Sequence, residues 1–287
     1  MHNTKCIELT QHRSEALRKV LNKLSNGKFV QDDWEFLRQR DLMDTSKIKN
    51  DERNEFISNA TMLCAYNKDL IQYNITRIKA LNNPIAIIKS QNTDSTVASV
   101  LGTKANGLPS QVMLAKECKV ILTTNLWKEA GLTNGAKGTV KYIVYEGNTK
   151  PKSLPCMVIV QFPQYIGPPY LKDCNNCVPI VPIKREWYSG KKLCWRIMLP
   201  LKPAYATTIH ASQGQSLDRV IINLGDTEFA NGLAYTAISR CKEIEMLSFN
   251  PMKNYKRFSS IFTHKIFKDR QKQDIKEQLQ DAHFDDN

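Results

Sequence analysis

Apolar positions change their period twice along the chain. In residues 14–24 (SEALRKVLNKL), Leu17, Val20, Leu21 and Leu24 recur at three- and four-residue spacing and predict an amphipathic helix, with Asn26-Gly27 as its stop. Asp32 with Glu35 three residues on predicts a capping box that opens a short helix through about Arg40. ATMLCAY (60–66) predicts a buried strand, and Ile71, Ile75 and Ile78 mark a helix that ends near Asn82-Asn83-Pro84. Ile85 to Ile88 predicts the next strand, and the polar stretch 90–109 reads as a connector. From Lys119 the texture changes. KVILTTNL, GTVKYIVYEG, CMVIVQF, CVPIVPI and KLCWRIMLPL are short strand-like runs parted by Asn134-Gly135, Gly147-Asn148, Gly167-Pro168-Pro169 and Ser189-Gly190. Their density predicts a small β-barrel or a compact sheet. After Pro203 the mixed pattern returns: AYATTIHASQ reads as a helix, RVIINL as a strand, GLAYTAISRCK as a helix and EMLSF as a strand. The tail from Lys253 is charged and helix-compatible. The order α/β, then β, then α/β predicts one discontinuous α/β domain, residues 1–118 and 204–287, into which residues 119–203 are inserted.

Composition adds a partner to this picture. The 287 residues are 41% hydrophobic and 24% charged, which excludes a disordered or fibrous chain. Lys and Arg number 41 against 28 Asp and Glu, a net charge of +13. Residues 1–118 carry +4, residues 119–203 carry +9 and residues 204–287 are neutral. An excess of this size favours a polyanion, most simply nucleic acid, facing the middle segment. Lysines that merely keep sheet edges soluble are the alternative. No apolar run reaches transmembrane length, and the first residues lack the apolar core of a secretory leader. Eight scattered cysteines read as reduced thiols.

The chemistry concentrates in two motifs. A nucleotide hydrolase would carry G-x-x-x-x-G-K-[ST], whose amides and Lys cradle phosphates, and that motif is absent from the sequence. TTIHASQGQSL (207–217) and GLAYTAISR (232–240) are present instead. Gly214 permits close backbone approach, Gln213 and Ser212 supply neutral hydrogen bonds, and Arg240 supplies a forked cation suited to phosphate. Taken singly, His210 fits a structural histidine and Arg240 a surface ion pair.

These motifs combine with IELTQHR (7–13), AYNKDLIQYN (65–74), LTTNLWKEAGLTNGAKGTV (122–140) and LPLKPAYATTIHASQGQSLD (199–218), in that order. From about Ile7 to Pro251 the chain resembles the C-terminal half of the petite-integration-frequency (Pif-type) DNA helicases, superfamily-1 relatives of bacterial RecD. The resemblance implies an α/β, RecA-like (P-loop NTPase-type) second motor domain with a small inserted β-barrel. It implies a 5′-to-3′ ATP-dependent helicase of replication, repair, recombination and telomere maintenance. ATP and Mg2+ would serve the complete enzyme, with neither held tightly by this chain alone. Its partners would be single-stranded DNA or DNA junctions, and a first motor domain, in cis or on a separate chain, would supply the missing phosphate loop. No membrane role is expected, and nuclear placement follows from the family alone.

Carried over by motif, Arg13 is expected to contact phosphate and Arg240 to act as the arginine finger. Gln213 and Gly214 are expected to couple nucleotide to DNA. His210, Ser212, Asn67, Asn74, Asn125 and Lys137 are expected to face DNA, although Asn67 also suits a helix N-cap. Two positions depart from the family pattern: Ala211 stands where a Lys is usual, and Ser14 where a Gln is usual. A non-catalytic single-strand binder, or a degenerate transposon-derived remnant, remain alternatives. Cys174-x-x-Cys177 is half of a zinc site without a partner pair at suitable spacing, and reads as two free thiols. Trp187, Tyr188 and Trp195, among Lys184, Arg185, Lys191, Lys192 and Arg196, suit either a base-stacking platform or a core with basic rims.

Overall fold

The structure is a computed structural model that describes residues 14–44, 46, 50–100, 102, 104–147, 154–225 and 232–259. By packing, the chain divides into two compact units, one from Met1–Leu70 and Thr207–Asn287, the other from Ile71–Ala206. Arg13 lies outside the described residues, as does the tail beyond Ser259.

In chain order, helices α1 (Glu15–Ser25), α2 (Gln31–Arg38) and α3 (Asn50–Asn59) precede strand β1 (Thr61–Cys64) and helix α4 (Asn67–Lys79). Then come β2 (Ile85–Lys89), β3 (Gln91–Asn92), α5 (Ser95–Ala98), β4 (Gln111–Ala115), β5 (Lys119–Leu122), β6 (Lys137–Val144) and β7 (Met157–Gln161). β8 (Cys177–Ile180), β9 (Ile183–Ser189), β10 (Lys192–Met198) and β11 (Leu201–Pro203) follow. The chain closes with β12 (Ala206–Thr208), β13 (Val220–Asn223), α6 (Leu233–Ile238), β14 (Leu247–Phe249) and α7 (Lys256–Ser259).

The first unit is built on a four-stranded sheet in the order β12-β1-β13-β14. β1 and β13 run parallel with Leu63 opposite Ile222, and β13 and β14 run parallel with Ile221 opposite Ser248. Both central strands are buried almost throughout, which is why Met62–Cys64 and Val220–Ile222 are unbroken apolar runs rather than alternating ones, with the polar Thr61 and Asn223 at the half-buried ends. α1 lays Leu17, Val20, Leu21 and Leu24 into this core, and Gly27 takes the left-handed turn (φ 67°) that ends the helix. α2 starts one residue before the expected cap. Asp33, not Glu35, closes it by accepting the Val30 N–H at 2.9 Å, and Lys23 pairs with the same carboxylate at 2.6 Å.

The second unit holds a five-stranded sheet, β11-β5-β6-β7-β8, a three-stranded sheet, β3-β10-β9, and the antiparallel pair β2-β4. No closed barrel is seen among the described residues. β8 pairs with β7 and the chain then turns into the β9–β10 hairpin, so β8 and β11 remain the two ends of an open sheet. Short strands with regular turns announce a sheet, but closure depends on which edge strands meet. Residues 71–118, which sequence pattern groups with the α/β segments, pack here. Ile78, Ile88, Val112 and Leu114 share one core with Val120, Leu122, Val140 and Val160. The stretch 90–109 is more than a connector, since it contains β3 and α5, the latter capped by Asp94 accepting from Thr96 N and Val97 N.

AYATTIHASQ is not a helix. Ala206–Thr208 is a strand beside β1, and His210–Ser212 is a single 3-10 turn. The β-branched pair Thr207-Thr208 favours the extended backbone, which ends at Ile209, already in helical angles (φ −55°, ψ −41°). The aromatic platform is also split. Trp187 lies opposite Cys194 on the inward face of the hairpin, while Tyr188 and Trp195 lie on the other, with Tyr188 73% exposed. Cys174 and Cys177 are joined in a disulfide, whereas two free thiols were expected. No described helix is long and apolar enough to cross a membrane.

Arg196 is fully buried, at 0% exposure, rather than on a basic rim. Its Nε donates to Asn92 Oδ1 at 2.9 Å, Nη1 to the Leu108 carbonyl at 2.9 Å, and Nη2 to the Val97 and Val100 carbonyls at 2.8 and 3.0 Å. One guanidinium thus pins the whole 92–108 segment to β10. Arg196→Met is expected to lower unfolding free energy by about 3 kcal/mol, because it removes four hydrogen bonds from a buried site. Arg196→Lys should restore little of it, since an ammonium lacks the planar fork. Urea denaturation of the two variants checks this.

Candidate nucleotide-coupling site

The first unit gathers the two motifs into one loop system. Ile209 N donates to the Cys64 carbonyl at 3.1 Å, which anchors the loop to the end of β1. The chain then turns back on itself. Ser212 N and Ser212 Oγ both donate to the Ile209 carbonyl, at 3.2 and 2.7 Å, and Ala211 N donates to Thr208 Oγ1 at 3.2 Å. Gln213 N donates to the His210 carbonyl at 3.2 Å and Gln215 N to the Ser212 carbonyl at 3.0 Å. Ser212 is buried, with its hydroxyl used inside the turn, whereas His210, Gln213, Gly214 and Gln215 are exposed. Gly214 has φ 77° and no neighbour within 4 Å of an added Cβ, so glycine is needed there for backbone angle and not for space.

α6 approaches this loop through small residues. Ala234 and Ala237 are fully buried, and Gly232 opens the helix in the left-handed conformation. Arg240 follows the helix. Its Nε donates to the Thr236 carbonyl at 3.0 Å and Nη2 to Ser239 Oγ at 2.7 Å. Nη1 reaches across to the Ser212 and Gln215 carbonyls, each at 3.3 Å, and Leu217 N returns a bond to the Arg240 carbonyl at 2.9 Å. The guanidinium therefore clasps the turn that presents Gln213 and Gly214. Ser14, next in the chain after Arg13, donates its N–H to the Lys242 carbonyl at 2.9 Å, two residues beyond Arg240. Asn67 is exposed in the first turn of α4, just past β1.

The remaining expected residues fall in the second unit. Asn74 is buried, and its Oδ1 accepts from Tyr205 N and Ala206 N, both at 3.1 Å. Asn125 Oδ1 accepts from Asn134 N at 2.8 Å and closes the loop between β5 and β6. Lys137 opens β6 and is exposed. Strand register adds two lysines that motif reading passes over. Lys202 on β11 and Lys137 on β6 lie either side of Ile121 on β5, and Lys119 projects from the same face of β5 two residues away. Burial holds the Lys119 ammonium below its ordinary pKa, with the Arg77 and Lys137 charges adding to the effect. A cation crowded by cations is relieved by an arriving anion. Only period-2 alternation combined with the pairing of β5, β6 and β11 could have revealed this face, and pairing is not written in the sequence.

No protein-family model matches the chain. Among curated proteins, it is 31% identical over 258 residues to the ATP-dependent DNA helicase PIF1 of Xenopus laevis, spanning 86% of this chain and 36% of that protein. It is 30% identical over 199 residues to the human ATP-dependent DNA helicase PIF1, spanning 67% of this chain and 28% of that one. Among solved structures, the Pif1 helicase from Candida albicans superposes with a TM-score of 0.68 at 21% identity, over 92% of this chain and 58% of that chain. The chain is a relative of the Pif1-type DNA helicases. A Pif1 helicase from Bacteroides, solved in complex with ADP-AlF3 and ssDNA, gives a TM-score of 0.63 at 19% identity over 93% of this chain and 56% of that chain. The Pif1-type likeness brings with it an α/β, RecA-like fold. The chain spans about a third of the length of these two curated Pif1-type relatives.

Arg240→Lys is expected to loosen the 212–215 turn while leaving the sheet intact. Amide hydrogen exchange at Gln213 and Gln215 should quicken about tenfold, the equivalent of about 1.4 kcal/mol, with β1 and β13 unchanged. Unchanged exchange at both amides would show that the clasp does not hold the turn.

Proposed function

We propose that this chain supplies the second RecA-like motor part and the strand grip of an ATP-dependent 5′-to-3′ DNA helicase. The observation that carries this reading is the clasp between Arg240 and the Ser212 and Gln215 carbonyls, because it makes a phosphate-seeking cation and an exposed Gln-Gly turn one mechanical unit. ATP phosphates and Mg2+ are assigned to a first motor domain, in cis or on a separate chain, because the sequence has no G-x-x-x-x-G-K-[ST]. Among the described residues no cluster of His, Cys, Asp or Glu fits a metal, and no step assigned to this chain runs through one.

In this reading Arg240 is the arginine finger. Turning toward a terminal phosphate, its fork exchanges two carbonyl acceptors for charged oxygens, a stronger pairing. The Gln213-Gly214 turn is then released, and the exposed side chains of His210 and Gln213 shift against the DNA they touch. Arg13 would add a second phosphate contact near the start of α1. Asn67, Asn125 and Lys137 are assigned to DNA, while Asn74 and Ser212 act through the backbone they hold. Lys119, Lys137 and Lys202 extend the grip along the insert, where the sequence carries its +9. The β-rich unit fills the place of the inserted small barrel of this reading. Ala211 removes one phosphate contact that a lysine would make. The nucleus is the assigned location.

That same basic face also supports a second reading, a single-strand binder without catalysis. Fluorescence anisotropy with labelled single-stranded DNA tests the shared part. Binding should weaken steeply with salt, and reversing Lys119, Lys137 or Lys202 to Glu should each lower the slope of log K against log salt by about 0.7 or more. No binding by folded chain at low salt overturns the grip. The readings part in a longer protein that includes a phosphate loop. There, Arg240→Ala should cut ATP turnover by about 10³-fold or more while sparing DNA affinity. Unchanged turnover leaves the non-catalytic reading standing.

A further inference from the structure

A cavity of about 560 Å3 lies in the second unit between β6, β7 and the loop that precedes β8. This falls within the roughly 300–1,000 Å3 usual for small-molecule sites. The disulfide Cys174–Cys177 forms part of its wall. Lys116, Lys141 and Lys172 line it with Glu117 and Asp173. Lys141 is held by Glu117 at 2.9 Å, and the Lys116 ammonium stands 5.8 Å from the centre of the Tyr142 ring. Two lysines and one aspartate are thus left to meet a ligand that carries both signs. The two sulfurs differ in access: Cys177 is 1% exposed at the start of β8, while Cys174 is half-buried on the loop. Between them, Asn176 ties the turn to β7, with its Oδ1 accepting from Gln161 Nε2 at 3.0 Å and its carbonyl from Phe162 N at 2.9 Å.

We propose that Cys174–Cys177 is a thiol–disulfide exchange site and that the adjoining cavity binds a small zwitterionic peptide thiol of the glutathione class. Lys116 and Lys172 pair with the carboxylates of such a thiol and Asp173 with its ammonium. The bound thiolate attacks Cys174 Sγ, the accessible sulfur. A new S–S bond forms there as the bond to Cys177 breaks, and its electron pair leaves on Cys177 Sγ, which takes a proton from water. A second thiol attacks the ligand sulfur of this mixed disulfide and releases Cys174. In sum, two thiols are oxidised to their disulfide and the protein disulfide is reduced to a dithiol. The site is independent of the helicase reading. Its chemical effect is to unfasten the turn that holds Asn176 against β7.

The test uses the full chain after air oxidation, with reduced glutathione and uncharged 2-mercaptoethanol as parallel probes, followed by intact mass and peptide mapping. The Cys174–Cys177 disulfide should be present at the start and should be reduced by both thiols. Replacing Lys116→Glu and Lys172→Glu together should slow the glutathione reaction about fivefold or more while leaving the 2-mercaptoethanol rate unchanged. The neutral probe also controls for misfolding, which would alter both rates. In Cys177→Ser, oxidised glutathione should leave its adduct on Cys174. Free Cys174 and Cys177 in the oxidised chain, equal slowing of both probes, or an adduct confined to the exposed Cys156 would each overturn the proposal.

Discussion

The chain leaves β1 through α4 and returns to β1's side as β12, and the stability of that return governs everything placed beyond it. Asn74 is the fastening. One side-chain oxygen, buried on the outgoing helix, accepts the two consecutive backbone N–H groups of Tyr205 and Ala206 on the way back. Tyr205 is further fixed by its hydroxyl, which accepts from Lys119 N at 3.1 Å, and by the Arg77 guanidinium 5.4 Å from its ring centre. A long excursion adds little closure entropy per added residue once its ends are held together. Holding them is therefore the decisive requirement, and it is met by hydrogen bonds to backbone, which are indifferent to the side chains of the returning segment. β12 lies beside β1, and Ile209 N reaches the Cys64 carbonyl at its end.

Past Ile209 the chain forms a loop whose geometry is set from two directions. Thr208, Ser212 and Gln215 close it from within, and Gln215 Nε2 adds a bond to the Ala211 carbonyl at 3.1 Å. Arg240 closes it from outside. Its Nη1 rests on two neutral carbonyls at 3.3 Å, acceptors that charged oxygens would outcompete.

Legibility in the sequence followed the physics of each segment. β1 and β13 could be read because strands buried on both faces are continuous apolar runs. The first helix could be read because Leu17, Val20, Leu21 and Leu24 repeat at its period. AYATTIHASQ misled because its small residues tolerate a helix, while pairing with β1 decided otherwise. The β insert was recognisable as sheet but not as open sheet, because closure lies in edge pairing. Arg196 was hidden by its charge: nothing local marks a buried arginine, whose acceptors stand 88 to 104 positions away in the chain. At the site, the motifs brought Gln213, Gly214 and Arg240 forward together. They could not show that Ser212 turns inward or that Asn74 holds a backbone segment.

Arg40, Arg196, Arg240 and Arg257 share one habit. Each donates to main-chain carbonyls: Arg40 to Leu247 and Glu245, Arg257 to Leu224, Arg196 to Leu108 and Arg240 to Ser212 among others. A guanidinium anchored this way is not neutralised by its partner, as it would be by a carboxylate. At Arg196, whose partners are three main-chain carbonyls and an amide oxygen, the architecture secures itself without consuming positive charge. There scaffold and charge reside in one side chain, so its removal weakens the fold and lowers the local positive field together.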